Sequence, residues 1–222
     1  MERTIIHVMR HGEVDNPKGV LYGRLPGFGL TELGHSMAAC AAQYLVDSGA
    51  DITSVISSPL LRAQLTAAPT AAAYGLMIQS DPRLIESDNV FEGMPVNSNR
   101  AMLANPKYYK YYCNPLRPSW GEPYRDVASR MSAALSSALR EARGHEALVV
   151  SHQNPIVTLT RFVNGQPLAH APKSRHCALA SITSFIFSGA TLVGTSYAEP
   201  AADLVAIAKD MTPGDSQAGL RR

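Results

Sequence analysis

The chain predicts an α/β protein, a three-layer α/β/α sandwich with a mainly parallel central sheet. Three observations carry that expectation. Short apolar runs alternate with stretches of helical periodicity, Gly and Pro punctuate the junctions, and polar residues able to do chemistry collect just after the apolar runs. At 222 residues and 45% apolar content the chain is sized for one sizeable domain. We expect that domain over residues 1–211, with a lid-like insertion at about 88–123 and a disordered tail over 212–222.

Taken in order, Thr4 to Met9 reads as a first strand that ends abruptly in Arg10-His11-Gly12. Glu13 to Leu30 is rich in Gly and Pro and reads as a loop. Gly27-Phe28-Gly29 begins a GxGxxG but Glu32 stands where the third glycine belongs, and no GxxxxGK[ST] occurs, so the loop lacks both nucleotide-binding patterns. Thr31 is the expected N-cap of a helix with Leu33, Met37, Ala41, Tyr44 and Leu45 on its apolar stripe and Gly49 as its stop. Ile52 to Ile56 is a second strand, followed by a helix that Ser58 caps and Pro59 opens, with Arg62 in its first turn and a kink or restart at Pro69.

Leu76 to Gln79 is a third strand, leading to Arg83-Leu84-Ile85-Glu86 and an irregular region that carries Tyr108, Tyr109, Tyr111, Tyr112 and Trp120. From Tyr124 a helix with Val127, Met131, Leu135 and Leu139 on one face runs toward Gly144. Ala147 to Ser151 is a strand buried on both faces, ending in His152-Gln153-Asn154, with Pro155 opening the next helix. Leu179 to Phe187 and Thr191 to Tyr197 pair as a hairpin across Ser188-Gly189-Ala190.

The bulk numbers narrow the function classes. Twenty basic and 18 acidic residues are scattered without long runs, giving a formal charge of +2, so no nucleic-acid stripe is present and a small anion is the better ligand. No apolar stretch is long enough for a membrane span and the start lacks a leader pattern, so a cytoplasmic protein is expected. Cys40, Cys113 and Cys177 are odd in number and far apart, which argues for neutral thiols rather than a disulfide framework. His7 and His11 lie roughly 13 Å apart along a strand, too far to share one metal ion. His7 is expected to be a core histidine with a backbone partner, and His145, His170 and His176 lack a carboxylate at ligand spacing. No GxSxG elbow is present. No metal and no cofactor are expected.

In a parallel sheet the strand ends on one edge share a crevice, and here three ends carry Arg10 with His11, Arg62, and His152. Two imidazoles and two guanidiniums would repel one another unless an anion sat among them, and the planar guanidinium fork suits phosphoryl oxygens. The expected ligand is therefore phosphoryl.

Arg10-His11-Gly12, Ser57-Ser58-Pro59-Leu60-Leu61-Arg62-Ala63, Leu84-Ile85-Glu86 and Val150-Ser151-His152, in that order, resemble the histidine phosphatase superfamily, also called phosphoglycerate-mutase-like. The closing Ala180-Ser181-Ile182-Thr183 strand is similar as well. The resemblance implies that His11 is the nucleophile, forming a phosphohistidine. It implies that Arg10, Arg62 and His152 hold the phosphoryl oxygens, and that Glu86 gives a proton to the leaving oxygen and then activates water. Gly12 is expected to let the chain turn away so that Arg10 and His11 reach one phosphate. A partly desolvated pocket is the ordinary device for keeping a carboxyl such as Glu86 protonated.

Several positions depart from the family pattern. Val14 stands where a hydroxyl residue is usual, and Asn16, the candidate phosphate-binding asparagine, falls one position early. Tyr22-Gly23-Arg24 replaces the patterns typical of cofactor-dependent mutases, and Gln153-Asn154 replaces a Gly-Gly after the second histidine. These departures favour a phosphatase over a mutase. Asn16, Tyr22, Gly23, Arg24 and Gln153 are the candidate substrate-binding residues, Arg24 and the tyrosines being expected to grip the leaving group. The sequence thus predicts a metal-independent phosphomonoesterase acting on a small phosphorylated metabolite, with no nucleic acid or membrane partner and a homodimer left open. A phosphoglycerate mutase is the nearest alternative, and a non-catalytic phospholigand- or partner-binding module is the alternative of another class.

Overall fold

The computed structural model describes residues 2–95, 104–111, 120–171 and 174–209. Six strands form one sheet: β1 (Arg3–Arg10), β2 (Ile52–Ser57), β3 (Ile78–Ser80), β4 (Glu146–Ser151), β5 (Ile182–Ser188) and β6 (Thr191–Ala198). Their spatial order is β3-β2-β4-β1-β5-β6. The pairs β3/β2, β2/β4 and β4/β1 are parallel, while β5 runs antiparallel to both β1 and β6. The helices are α1 (Glu32–Asp47), α2 (Leu61–Tyr74), α3 (Tyr124–Glu141), α4 (Gln153–Val163) and a short α5 (Ala202–Val205).

The sheet separates two apolar layers, as strand alternation requires. Ile6, Val8, Val149 and Phe185 face α3 and α4, where Val127, Met131, Ile156 and Leu159 are buried. Met9, Val55, Leu148, Val150 and Ile182 face α1 and α2, where Met37, Ala41, Leu45, Ala63 and Ala67 pack, with Val205 of α5 beside them. β4 lies between β2 and β1, so its run is buried along almost its whole length. The parallel strands β1, β2 and β4 therefore deliver Arg10, Ser57 and Ser151 to one edge of the sheet. The chain continues at that edge into His11, Ser58 and His152.

The α/β sandwich and its mainly parallel sheet are those the sequence predicts, and several boundaries shift for identifiable reasons. Thr31 caps α1 as expected, its hydroxyl accepting from the Gly34 N–H. Tyr44, placed on the apolar stripe, is instead 43% exposed, because Leu45 beside it takes the core position. α2 begins at Leu61 rather than Pro59, and Leu60 is its N-cap, without a side-chain bond. Pro69 sits inside α2 without ending it. α4 starts at Gln153, two residues before Pro155. β3 is displaced to Ile78–Ser80, β5 begins at Ile182, and α5 was not anticipated.

His7 bonds two side chains rather than the backbone. Its Nε2–H donates to Glu146 Oε2 at 2.6 Å and its Nδ1 lies 2.8 Å from Ser184 Oγ. Carboxylates also stand beside His145 (Asp51, 2.6 Å) and His176 (Glu199, 3.9 Å), partners that sequence spacing could not reveal. An isolated bridge between Asn89 and Gly121 closes the base of the expected insertion. Within it Phe91 makes edge-on contacts with Tyr108 and Tyr111, which lie on a 3-10 helix, Pro106–Tyr111. Cys40 and Cys177 form no disulfide, whereas Tyr112, Cys113 and the expected disordered tail 212–222 fall outside the described residues.

Candidate active site

His11 follows β1 and is held on three sides. Its backbone N–H donates to the Ser151 carbonyl (3.2 Å) and its own carbonyl accepts from the Ala180 N–H (3.3 Å). Its Nδ1 lies 2.8 Å from the Gly12 carbonyl. A carbonyl can only accept, so Nδ1 carries a proton there. In the neutral ring that places the lone pair on Nε2, the atom an attacking imidazole uses. Ala180 has φ 53, a conformation that costs an alanine about 1–2 kcal/mol and that supports the His11 carbonyl.

Gly12 is not among the glycines with positive φ, and its lack of a side chain permits a close approach. A Cβ there would lie 2.6 Å from the Gly34 carbonyl oxygen, and one at Gly34 would lie 2.2 Å from the Glu13 carbonyl oxygen. The first turn of α1 thus packs directly on the chain that carries His11. Thr66 of α2 links the same stretch to Arg62: its hydroxyl donates to the Arg62 carbonyl (2.7 Å) and accepts from the Gly12 N–H (3.1 Å).

The cations around His11 are fully buried. Arg10 donates from Nη1 to the Cys177 carbonyl at 2.6 Å. Arg62 donates from Nη2 to the Gly23 carbonyl at 2.6 Å, and its guanidinium lies 4.7 Å from the centre of the Tyr22 ring. A desolvated cation–π contact of that kind contributes about 2 kcal/mol. Nε and Nη1 of Arg62 are buried without a hydrogen-bond partner among the described residues. Burial pulls the Arg62 guanidinium below its ordinary value, with the Arg10 charge acting in the same direction and Tyr22, Glu86 and Glu92 opposing.

His152 ends β4, its ring 5.2 Å from that of His11. Its Nε2 lies 2.8 Å from Ser58 Oγ, while Nδ1 is buried without a partner among the described residues. Burial holds the imidazole well below its ordinary value, and Arg62, His11, Arg130 and Arg10 push the same way. The ring is therefore neutral at pH 7, which limits the repulsion inside the cluster. Ser58, read in the sequence as a helix cap, is the hydroxyl that orients this ring. Gln153 opens α4 and is buried with neither amide atom bonded among the described residues. Its backbone lies in the first turn of a helix, where N–H groups and the helix dipole favour an anion.

Unsatisfied buried donors each cost about 1–3 kcal/mol. Arg62 Nε, Arg62 Nη1 and His152 Nδ1 are buried without a partner among the described residues, and the His152 ring lies 5.2 Å from that of His11. Buried guanidinium donors of this kind suit an anion.

The remaining sequence candidates fall into two groups. Tyr22 is buried, its ring edge-on to His11 at 6.4 Å, and Gly23 supplies the carbonyl that anchors Arg62. Glu86 follows the 3-10 turn Pro82–Leu84, is half-buried, and accepts the Ser87 N–H at Oε1 (2.7 Å). Both amide atoms of Asn16 bond the Val20 backbone and staple their own loop, one Nδ2–H being used in doing so. Arg24 braces the site, its Nε bonded to the Glu86 carbonyl (2.7 Å) and its Nη2 to Glu122 (2.8 Å), which leaves its Nη1 outside these two bonds. Sequence reading missed Ser58 as a ring partner, Thr66, the Cys177 carbonyl, and the Glu122–Arg130 pair behind Glu86. None of these carries a local motif.

Comparison with known proteins agrees with this geometry. Residues 6–199 match the model of the histidine phosphatase superfamily (branch 1), and the chain belongs to that family. The protein Rv0525 of Mycobacterium tuberculosis is 50% identical over 201 residues, covering 90% of this chain and 98% of its own. A probable phosphoglycerate mutase GpmB of Yersinia pestis is 34% identical over 185 residues, covering 80% of this chain and 83% of its own. Among solved structures, Bacillus stearothermophilus YhfR superposes with a TM-score of 0.72 at 26% identity, covering 86% of this chain and 94% of its own. The mycobacterial glucosyl-3-phosphoglycerate phosphatase Rv2419c superposes with a TM-score of 0.66 at 26% identity, covering 83% and 90%. No helix among the described residues is long and apolar enough to cross a membrane.

Proposed function

We propose that the protein is a phosphomonoester hydrolase that works through a phosphohistidine on His11 and needs no metal. The observation that carries this reading is the pairing of His11, its Nδ1 bonded to the Gly12 carbonyl, with buried, unpartnered nitrogens of Arg62 and His152. In the first step His11 Nε2 attacks phosphorus, the P–O bond to the leaving group breaks, and Glu86 protonates the departing oxygen. In the second, Glu86 takes a proton from water, whose oxygen attacks phosphorus and frees His11. Phosphoryl transfer depends chiefly on alignment and charge neutralisation, which fixed cations supply here. Arg10, Arg62, His152 and the first turn of α4 hold the oxygens. Tyr22 and Gly23 position Arg62, and Gln153 meets the substrate at the pocket.

A phosphoglycerate mutase is the second reading, favoured by the likeness to the Yersinia protein. The test is a panel of phosphorylated metabolites assayed with EDTA present, with His11→Ala as control. Phosphate release that survives EDTA and vanishes in the variant is expected; loss on chelation would overturn metal independence. With 3-phosphoglycerate and a trace of the bisphosphate, isomerisation outpacing phosphate release would replace the phosphatase reading by the mutase one. Ligand binding retained in His11→Ala, with no release from any ester by the wild type, would make the protein a binding module.

A further inference from the structure

The segment that presents Glu86 has an unusual hydrogen-bond economy. Residues 83–86 form the end of the 3-10 turn Pro82–Leu84 and the irregular chain after it, so their carbonyls need donors from elsewhere. All four find side chains. Arg130 Nη1 donates to the carbonyls of Arg83 and Ile85, each at 2.6 Å. The Ser151 hydroxyl donates to Leu84 (2.7 Å) and Arg24 Nε to Glu86 (2.7 Å). Three of these four bonds come from two guanidiniums, and one carboxylate holds both. Glu122 accepts from Arg130 through both oxygens, Nε to Oε1 and Nη2 to Oε2 at 2.9 Å each, and from Arg24 Nη2 at 2.8 Å.

Glu122 is itself fixed at the base of the insertion. Its N–H donates to the Asp88 carbonyl (3.2 Å), and Gly121 beside it approaches so closely that a Cβ would lie 2.1 Å from that same oxygen. We propose that Glu122 is a positioning residue for proton transfer, setting through Arg24 and Arg130 the place of Glu86 against the scissile oxygen. This rests on the reading of Glu86 as the proton donor. The carboxylate does not touch substrate. It fixes two cations whose remaining donors define the backbone from Arg83 to Glu86, and a bidentate guanidinium pair fixes orientation as well as distance. The charged groups that face Glu86 are Arg24 from the loop after β1, Arg62 from α2, and Glu92 from the insertion. Without Glu122, both Arg24 and Arg130 are free to swing, and the Glu86 carboxyl loses its alignment.

The consequence depends on the leaving group. An alkyl phosphate needs a proton on its departing oxygen, whereas p-nitrophenolate leaves without one. Glu122→Gln should therefore lower kcat for an alkyl phosphate by about 10²-fold, the scale on which misplaced groups lose rate. KM should stay unchanged, and the rate of p-nitrophenol release in a pre-steady-state burst should remain near wild type. Arg24→Lys keeps the charge but removes the Nε donor to Glu86, and should show the same selectivity in milder form. Glu86→Gln run alongside separates the two ideas. If it shows the leaving-group selectivity and folded Glu122→Gln does not, losing both substrates equally or neither, the positioning role is overturned while the function stands. If Glu86→Gln itself shows no selectivity, the proton-donor assignment fails first. Should Glu122→Gln not fold by circular dichroism, Arg24→Lys decides, and equal rates on both substrates in that variant overturn the proposal.

Discussion

Gly34→Ala is a one-methyl perturbation that should disable catalysis from outside the phosphoryl pocket. The added Cβ would stand 2.2 Å from the Glu13 carbonyl oxygen and 3.0 Å from the Glu13 carbonyl carbon and nitrogen, all of them backbone atoms. Cβ contacts under 3.0 Å essentially do not occur, so α1 and the 12–13 segment must separate by roughly 0.8 Å. Neither partner is a flexible side chain that could rotate away. Overpacking of this sort costs about 1–3 kcal/mol, which lowers Tm by several degrees in a domain of this size. The same displacement moves the Gly12 carbonyl that fixes His11 Nδ1, and a misplacement near 1 Å costs about 10²-fold in rate. Initial rates on p-nitrophenyl phosphate, measured well below the melting point found by circular dichroism, read the two effects separately. Gly75→Ala is the control. Its φ of 65 makes the substitution strained, about 1–2 kcal/mol, yet nothing lies within 4 Å and the site is untouched. A folded Gly34→Ala enzyme with wild-type kcat would refute the claim that the Gly12/Gly34 contact sets the nucleophile.

Three further outcomes follow from the geometry. Burial keeps His152 neutral in the fold, whereas in the unfolded chain it takes a proton below about pH 6.5, so stability falls as pH drops through that value, by up to about 1.4 kcal/mol per unit. Urea midpoints between about pH 7.5 and 5.5 should show this decline and His152→Gln should flatten it; equal slopes would contradict the assignment. Glu86→Gln should cut kcat on an alkyl phosphate by about 10²–10⁴-fold, and on p-nitrophenyl phosphate should give a burst near one equivalent followed by slow turnover, because water is no longer activated. Wild-type turnover in that variant would remove Glu86 from the mechanism. Asn16→Ala should lower Tm through the two lost bonds to Val20 and leave KM unchanged. A raised KM without destabilisation would return Asn16 to the phosphate.

How far the sequence could be read differs sharply between the site's two layers. Arg10, His11 and His152 were legible because each directly ends or follows an apolar strand, and parallel strands share an edge; Arg62 followed from a helix start just past β2. The supporting contacts were not legible, since they join residues whose separation carries no periodic signal. Glu122 reaches Arg24 across 98 positions and Ser58 reaches His152 across 94. Ser58 satisfied the local rule for an N-cap ahead of a proline, and tertiary demand for its hydroxyl overrode that rule. The packing at Gly12 was not legible for a related reason: sequence suggests a glycine's freedom to turn, but cannot show that a helix will pack against it. Nor does sequence show that Asn16 bonds the Val20 backbone or that Arg24 joins Glu86 to Glu122.

In the proposed mechanism His11 carries the phosphoryl group during turnover. Rapid quenching of the enzyme with a labelled phosphate ester, followed by peptide mass spectrometry under alkaline conditions that preserve phosphohistidine, tests it directly. The expected result is a phosphoryl group on His11 alone, labile to acid, chased into inorganic phosphate at the rate of turnover, and absent from His11→Ala. Label on another residue, or full turnover by His11→Ala, would contradict it.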